Sequence, residues 1–163
     1  MFRATLSRRA SEFLGVALFG VALVWLIALA TYDPADAVWF FNTGDQSPPA
    51  NFVGQVGAFL SELSFQVFGF ASYIASAVLV VLGWHYFWCR PIDAAYTKIV
   101  GLFLLFGCAA SFLSLAFDSL QFPGKAFKAG GWLGDWLAGL LAEYFNRTGS
   151  IILILTVLFL SVI

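Results

Sequence analysis

Charge is what this chain has least of. Asp, Glu, Lys and Arg together make up 10% of its 163 residues, whereas a soluble domain carries about 25%. Eight basic and nine acidic side chains leave a formal net charge of −1. They are spread thinly, and no stretch gathers the positive charge needed to follow a phosphate backbone. Two cysteines, Cys89 and Cys108, do not make a disulfide framework; each sits in or at the end of an apolar run, as a small buried hydrophobe does. The single histidine, His85, has no His or Cys partners at metal-ligand spacing. There is no phosphate-binding loop: Gly124-Lys125 is followed by Ala126, and Ser119 stands where the motif needs glycine. No Ser/His/Asp or paired-carboxylate arrangement can be built around one histidine at the border of an apolar run. Neither catalysis nor a cofactor is expected within this chain.

What fills the space is apolar. Hydrophobic residues reach 61% and aromatics 18%, more than a water-soluble core of this size can hide, so the natural solvent is a bilayer. A hydrocarbon core of about 30 Å takes about 20 helical residues. Four runs answer to that length or to part of it, at about 13–31, 68–88, 99–117 and 151–163. The first contains no charge. Its flanks, Arg3, Arg8 and Arg9 before it and Ala28-Leu29-Ala30 at its end, also suit a cleaved signal peptide, but its length and the three later runs favour a span. The fourth run, 151–163, is too short to cross and carries no stop signal, so it is expected to be a span cut inside its helix. The expected organisation is a basic cytoplasmic tail over 1–12 and a four-span membrane domain over 13–163.

Orientation follows the positive charges. Arg3, Arg8 and Arg9 mark the amino-terminal tail, Tyr32 to Ser64 contains neither Lys nor Arg, and Arg90 and Lys98 flank the next connection. The pattern puts both ends in the cytoplasm. The third connection dissents, with Lys125, Lys128 and Arg147 beside Asp118, Asp135 and Glu143, and is overruled by the first helix and the shorter loop. Trp84, Tyr86, Phe87 and Trp88 before Arg90, and Trp39, Phe40 and Phe41 after span one, suit headgroup level.

The outer connections are helical in pattern. Trp132, Leu133, Trp136, Leu137, Leu140, Leu141, Tyr144 and Phe145 form one apolar face, predicting an amphipathic helix over about 132–145 on the outer membrane surface. Its apolar face is expected on the membrane, with Asp135 and Glu143 turned to the periplasm and to partners. Phe52, Val53, Val56, Phe59, Leu60 and Leu63 give a similar stripe over about 52–64, with Gln55, Ser61 and Glu62 off it. The two stripes share the pattern G-x-[VL]-G-x-[FW]-L at Gly54–Leu60 and Gly131–Leu137, 77 residues apart. A parallel two-fold repeat of span, outer helix and span is inferred. Asp33-Pro34, Pro48-Pro49, Pro123-Gly124 and Gly130-Gly131 mark helix boundaries.

Asp33, Pro34 and Asp36 suit a turn better than an external cation site, and with Trp132, Asp135, Trp136 and Glu143 they are the candidate partner surface. Ser72, Ser76 and Gly83 in the second run, and Gly107 and Ser111 in the third, give small faces on which helices can approach closely. No ionisable residue lies well inside a run, which disfavours a pump or proton-coupled transporter.

The order of basic tail, span, Tyr32–Trp39 (Y-D-P-A-D-A-V-W), Gly-rich outer helix and second span resembles the amino-terminal membrane domain of FtsK-type septal DNA translocases. The likeness continues through Gly130-Gly131-Trp132-Leu133-Gly134 and Arg147-Thr148-Gly149-Ser150 into the fourth run. Ala37 departs from it, standing where the family commonly has a second proline. The resemblance implies an all-α membrane domain of four transmembrane helices with two outer amphipathic helices. It also implies a bacterial inner-membrane protein at the division septum, self-assembly as a hexamer, and contacts with other division proteins. DNA, ATP and Mg would be handled only by a carboxy-terminal motor outside this chain. The competing expectation is a small four-span transporter or channel subunit.

Overall fold

The computed structural model describes residues 7–38, 48–89, 95–117, 119–122 and 125–162. Its elements run α1 (Arg8–Ala30), α2 (Gly54–Phe68), a 3-10 turn (Gly69–Ala71), α3 (Ser72–Phe87), α4 (Ala95–Phe117), β1 (Ser119–Phe122), β2 (Lys125–Lys128) and α5 (Gly131–Val162). Residues 1–6, Trp39 to Phe41, Asp45, Arg90, Asp118, Pro123-Gly124 and Ile163, on which parts of the sequence reading fall, lie outside the described residues.

Four helical stretches are long and apolar enough to cross a membrane: Arg8–Ala30, Gly54–Phe87, Tyr96–Phe117 and Gly131–Ser161. The first begins earlier than its apolar run. Ser7 caps it, its hydroxyl accepting from the Ala10 amide at 3.3 Å, and Arg8 pairs with Glu12 one turn on at 2.9 Å. The second stretch is not one helix. Gly69 takes φ 58° and ψ −140°, a region that a side chain would make costly, and the chain turns there between α2 and α3. Ser72 sits within reach of the freed carbonyls of Ser64 (2.8 Å) and Gly69 (2.7 Å). In the same way α5 bends at Asn146, at φ 59° and ψ 164°. Its two limbs cover 131–145 and 147–162. The Asn146 side chain accepts from the Arg147 amide at 2.7 Å, and its carbonyl accepts from the Ser150 hydroxyl at 2.7 Å.

α1 packs against α3, and α4 against α5, as two antiparallel pairs. Small residues set the closeness of the first. A Cβ added to Gly15 would lie 2.8 Å from the Gly83 carbonyl oxygen and 2.6 Å from the Phe87 nitrogen, so the backbones meet as only small residues permit. Ser11 ties the other turn of that crossing, donating to the Tyr86 carbonyl at 2.8 Å. The sequence reading, all helix, had no strand. β1 and β2 form an antiparallel hairpin pairing Ser119 with Lys128 through Phe122 with Lys125, and it delivers the chain from α4 to α5.

Between the pairs, contact concentrates where α2, the 3-10 turn, β2 and the start of α5 come together. An aromatic cluster fills that joint. Phe65 is fully buried, with Leu29 and Phe127 beside it and Trp25, Tyr32, Phe70 and Tyr73 around them. Ring centroids lie 5.0 Å from Phe65 to Tyr32, 5.4 Å to Phe70 and 6.1 Å to Phe127, within the range of favourable edge and offset pairs. Further from the joint an apolar cleft of 380 Å³ opens, lined by Trp25, Phe68, Phe103, Phe106, Leu133 and Leu137 among others.

Candidate functional site

The residues singled out in the sequence fall into three places. Asp33 and Asp36 hold the connection after α1. The Asp33 carboxylate accepts from the Ala35 amide at 2.8 Å and its carbonyl from the Asp36 amide at 3.2 Å, closing a turn that contains Pro34. Asp36 is buried, and its two oxygens accept from the amides of Ala50 (2.6 Å) and Asn51 (3.1 Å). These carboxylates bind backbone, which is the turn role. Among the described residues no three His, Cys, Asp or Glu side chains gather as metal ligands.

Asn51 completes this clasp, and periodicity gave no reason to notice it. Its amide donates to the carbonyls of Ala28 (2.8 Å), in the last turn of α1, and of Thr31 (3.3 Å), which caps that helix, while its Oδ1 accepts from Val53 N at 3.0 Å. Thr31 accepts from the Phe52 amide at 3.2 Å and donates to Ile27 O at 2.7 Å. One buried side chain thus satisfies carbonyls that a helix end leaves open. The sequence signal was slight: an Asn between Pro48-Pro49 and Gly54.

The second place is the polar side of α2. Periodicity set Ser61 and Glu62 away from the apolar stripe, yet both are buried, at 0% and 2% exposure, whereas Phe52 and Val56 on the stripe are exposed. In a bilayer the small and polar side packs on protein and the apolar side can face lipid, the reverse of a helix in water. Glu62 accepts from the Tyr32 hydroxyl at 2.5 Å and from Gln66 Nε2 at 2.7 Å. Burial, then that bond to Glu62, pushes the Tyr32 pKa up, so the phenol stays protonated and keeps donating. Trp25 Nε1 donates to Ser64 at 3.1 Å on the same side.

The third place is the first limb of α5. The single apolar face expected there is split in two. Leu133 and Leu137 turn inward over the 380 Å³ cleft, while Trp132 and Trp136, with Leu140, Tyr144 and Phe145, remain exposed. Asp135 pairs with Lys128 of β2, and Glu143 is exposed. Of the small residues, Ser72, Ser76 and Gly83 are buried along α3. Ser111 is buried on α4 and donates to Gly107 at 2.7 Å, and a Cβ on Gly107 would meet Leu137 at 3.5 Å.

Four helical stretches long and apolar enough to cross a membrane, two of them bent at Gly69 and Asn146, describe a membrane domain. Residues 7–163 match the family described as the 4TM region of DNA translocase FtsK/SpoIIIE. The chain belongs to that family. Relatives include the DNA translocase FtsK of Pseudomonas syringae pv. syringae (strain B728a), 29% identical over 160 residues, covering 94% of this chain and 20% of that protein. The DNA translocase FtsK of Vibrio vulnificus (strain CMCP6) is 31% identical over 137 residues, covering 79% and 13%. That of Azospirillum brasilense is 30% identical over 152 residues, covering 91% and 24%. The chain therefore spans about a fifth of the length of the curated relatives it matches. It is the membrane domain of the FtsK/SpoIIIE family and not its motor. No solved structure matches the chain.

Proposed function

We propose that this domain anchors an ATP-driven DNA motor in the bacterial inner membrane at the division septum, and so couples division to chromosome segregation. The observation that carries the reading is the match of the entire four-span region to DNA translocases whose remaining length lies beyond it. DNA, ATP and Mg belong to that motor; this chain's partners are the lipid bilayer, further copies of itself in a hexamer, and other division proteins.

Both ends lie in the cytoplasm in this reading. Arg8 and Arg9 stand exposed at the start of α1, where the positive-inside tendency wants them. Two of the dissenting charges of the third connection are engaged on the protein: Lys128 pairs with Asp135, and Arg147 donates to the Leu115 carbonyl at 2.8 Å. The exposed side of the first limb of α5, with Trp132, Trp136 and Tyr144, rests at headgroup level, where amphipathic rings are favoured. Asp135 and Glu143 lie beside it toward the periplasm and partners, as does Asp33 in the first connection, whereas Asp36 is buried there on the Ala50 and Asn51 amides.

Reporter fusions in the full-length protein test the topology. Fusions at Asp45 and Gln121 should report periplasm and one at Asp93 cytoplasm; a cytoplasmic signal at Asp45 sinks the orientation. Deleting residues 7–163 should remove the protein from the septum, and unchanged septal fluorescence would refute the anchoring role.

A further inference from the structure

The two halves of the chain share backbone landmarks. Left-handed residues open both outer helices, Gly54 (φ 72°) and Gly131 (φ 65°), and others bend both, Gly69 (φ 58°) and Asn146 (φ 59°). Each pair is 77 residues apart. α1 and α4 are both 23 residues long and carry one triplet, Leu18-Phe19-Gly20 and Leu105-Phe106-Gly107, 87 residues apart. The antiparallel pairs also share a register. Those two offsets carry the Gly15–Gly83 crossing onto Leu102 and Leu160, one residue from the observed approach of Gly101 to Ser161.

The contact between the halves is one-directional. The bend of the first half sits on the lead-in of the second: Phe70 N donates to Ala129 O at 2.9 Å, and a Cβ on Gly69 would strike the Ala129 carbonyl and Gly131 N. Phe68 packs on Phe106 with centroids 5.7 Å apart. A two-fold relation would also seat the bend of the second half, around Phe145 to Arg147, on the lead-in of the first, Phe52 to Gly54. It does not do so. Phe52 is 84% and Phe145 52% exposed, and apart from its own chain neighbours no described residue comes within 4 Å of a Cβ built on Gly54. The chain makes this contact once and leaves exposed the Phe52 and Phe145 side chains, which stand at the two positions a second such contact would join.

We infer that the bend at Phe145–Arg147 docks on the lead-in at Phe52–Gly54 of another copy of this chain. The occupant is argued from the chain itself, which already makes the equivalent contact once. Such a contact is heterologous, joining copies head to tail, and it closes into a ring when the rotation per copy divides the circle. This deepens the self-assembly named above and rests on it.

The test is thiol cross-linking of the full-length protein in its native membranes, with Cys89 and Cys108 replaced by serine and a short bismaleimide as linker. Phe52→Cys and Phe145→Cys alter exposed side chains. The variant carrying both should give a ladder of covalent multimers; each single variant alone should stay monomeric, and the two singles co-expressed should stop at dimers. Cross-linking of a single variant to itself would mean a reciprocal interface and overturn the proposal. Oligomers of defined mass by native mass spectrometry, with no ladder from the double variant, would overturn this contact and leave self-assembly standing. Monomers in both measurements would overturn both.

Discussion

α2 and the first limb of α5 hold the same place in the two halves of the molecule, but they are held differently. α2 is fastened at its start by Asn51 and Asp36, along its side by Tyr32 and Trp25, and in its last turn by Phe65. The limb of α5 is fastened at its start by Gly130 and Gly134, whose added Cβ atoms would strike the Ala110 carbonyl of α4, and then leaves Trp132, Trp136 and Tyr144 uncovered. Directional bonds build one outer helix into the joint. Close backbone packing seats the other and frees its aromatic side. The difference separates a part that stores stability from a part available to surroundings.

Glycine substitutions should break this comparison most sharply. Gly69→Val meets both a left-handed backbone and the Ala129 carbonyl, and should abolish accumulation of the folded domain in membranes. Gly139→Ala, with nothing within 4 Å, should leave it intact or add about 0.5–1 kcal/mol through helix propensity. Next in size, Phe65→Ala should cost about 3–5 kcal/mol in reversible unfolding from detergent. Phe145→Ala should cost under about 1 kcal/mol by the same measurement, since the ring is half exposed within one copy.

The clasp gives intermediate effects. Asn51→Ala leaves the Ala28 and Thr31 carbonyls to find other partners, and a loss of about 1–3 kcal/mol is expected. Tyr32→Phe should sharpen the point through pH. Because folding raises the Tyr32 pKa, its contribution is complete below the unfolded value of about 10 and is lost as pH climbs through the higher folded one. The wild-type unfolding midpoint should therefore fall in that alkaline window, and the variant should start lower and fall less. Smallest of all, Lys128→Ala removes an exposed pair with Asp135, worth about 0–1 kcal/mol and weaker in high salt.

The crossings were legible in the sequence because lipid demands length and apolarity and little else; α1 begins five residues and α4 four residues before the expected run, and they end at Ala30 and Phe117. The outer helices were legible as helices but not as to which side turns inward. Periodicity defines a face, and in lipid the small, polar face of α2 is the one that packs. The bend at Gly69 left a visible mark, a glycine inside a 68–88 apolar run, and it went unread because transmembrane helices tolerate glycine. The hairpin from Ser119 to Lys128 was hidden: strands of four residues carry too few positions to show an alternation. Tyr32 with Glu62, and Asp36 with Asn51, are long-range pairs that no local pattern announces.

The joint around Phe70 and Ala129 also has a mechanical consequence. It lies directly before α3, so that helix hangs from it like a lever arm. Sixteen helical residues in α3 make an arm of about 24 Å. A rocking of a few degrees at the joint therefore displaces the far tip by roughly one or two ångströms over such an arm. A force applied to the far end of α3 would be delivered, with that leverage, to the Phe70–Ala129 backbone hydrogen bond and a nest of aromatic rings.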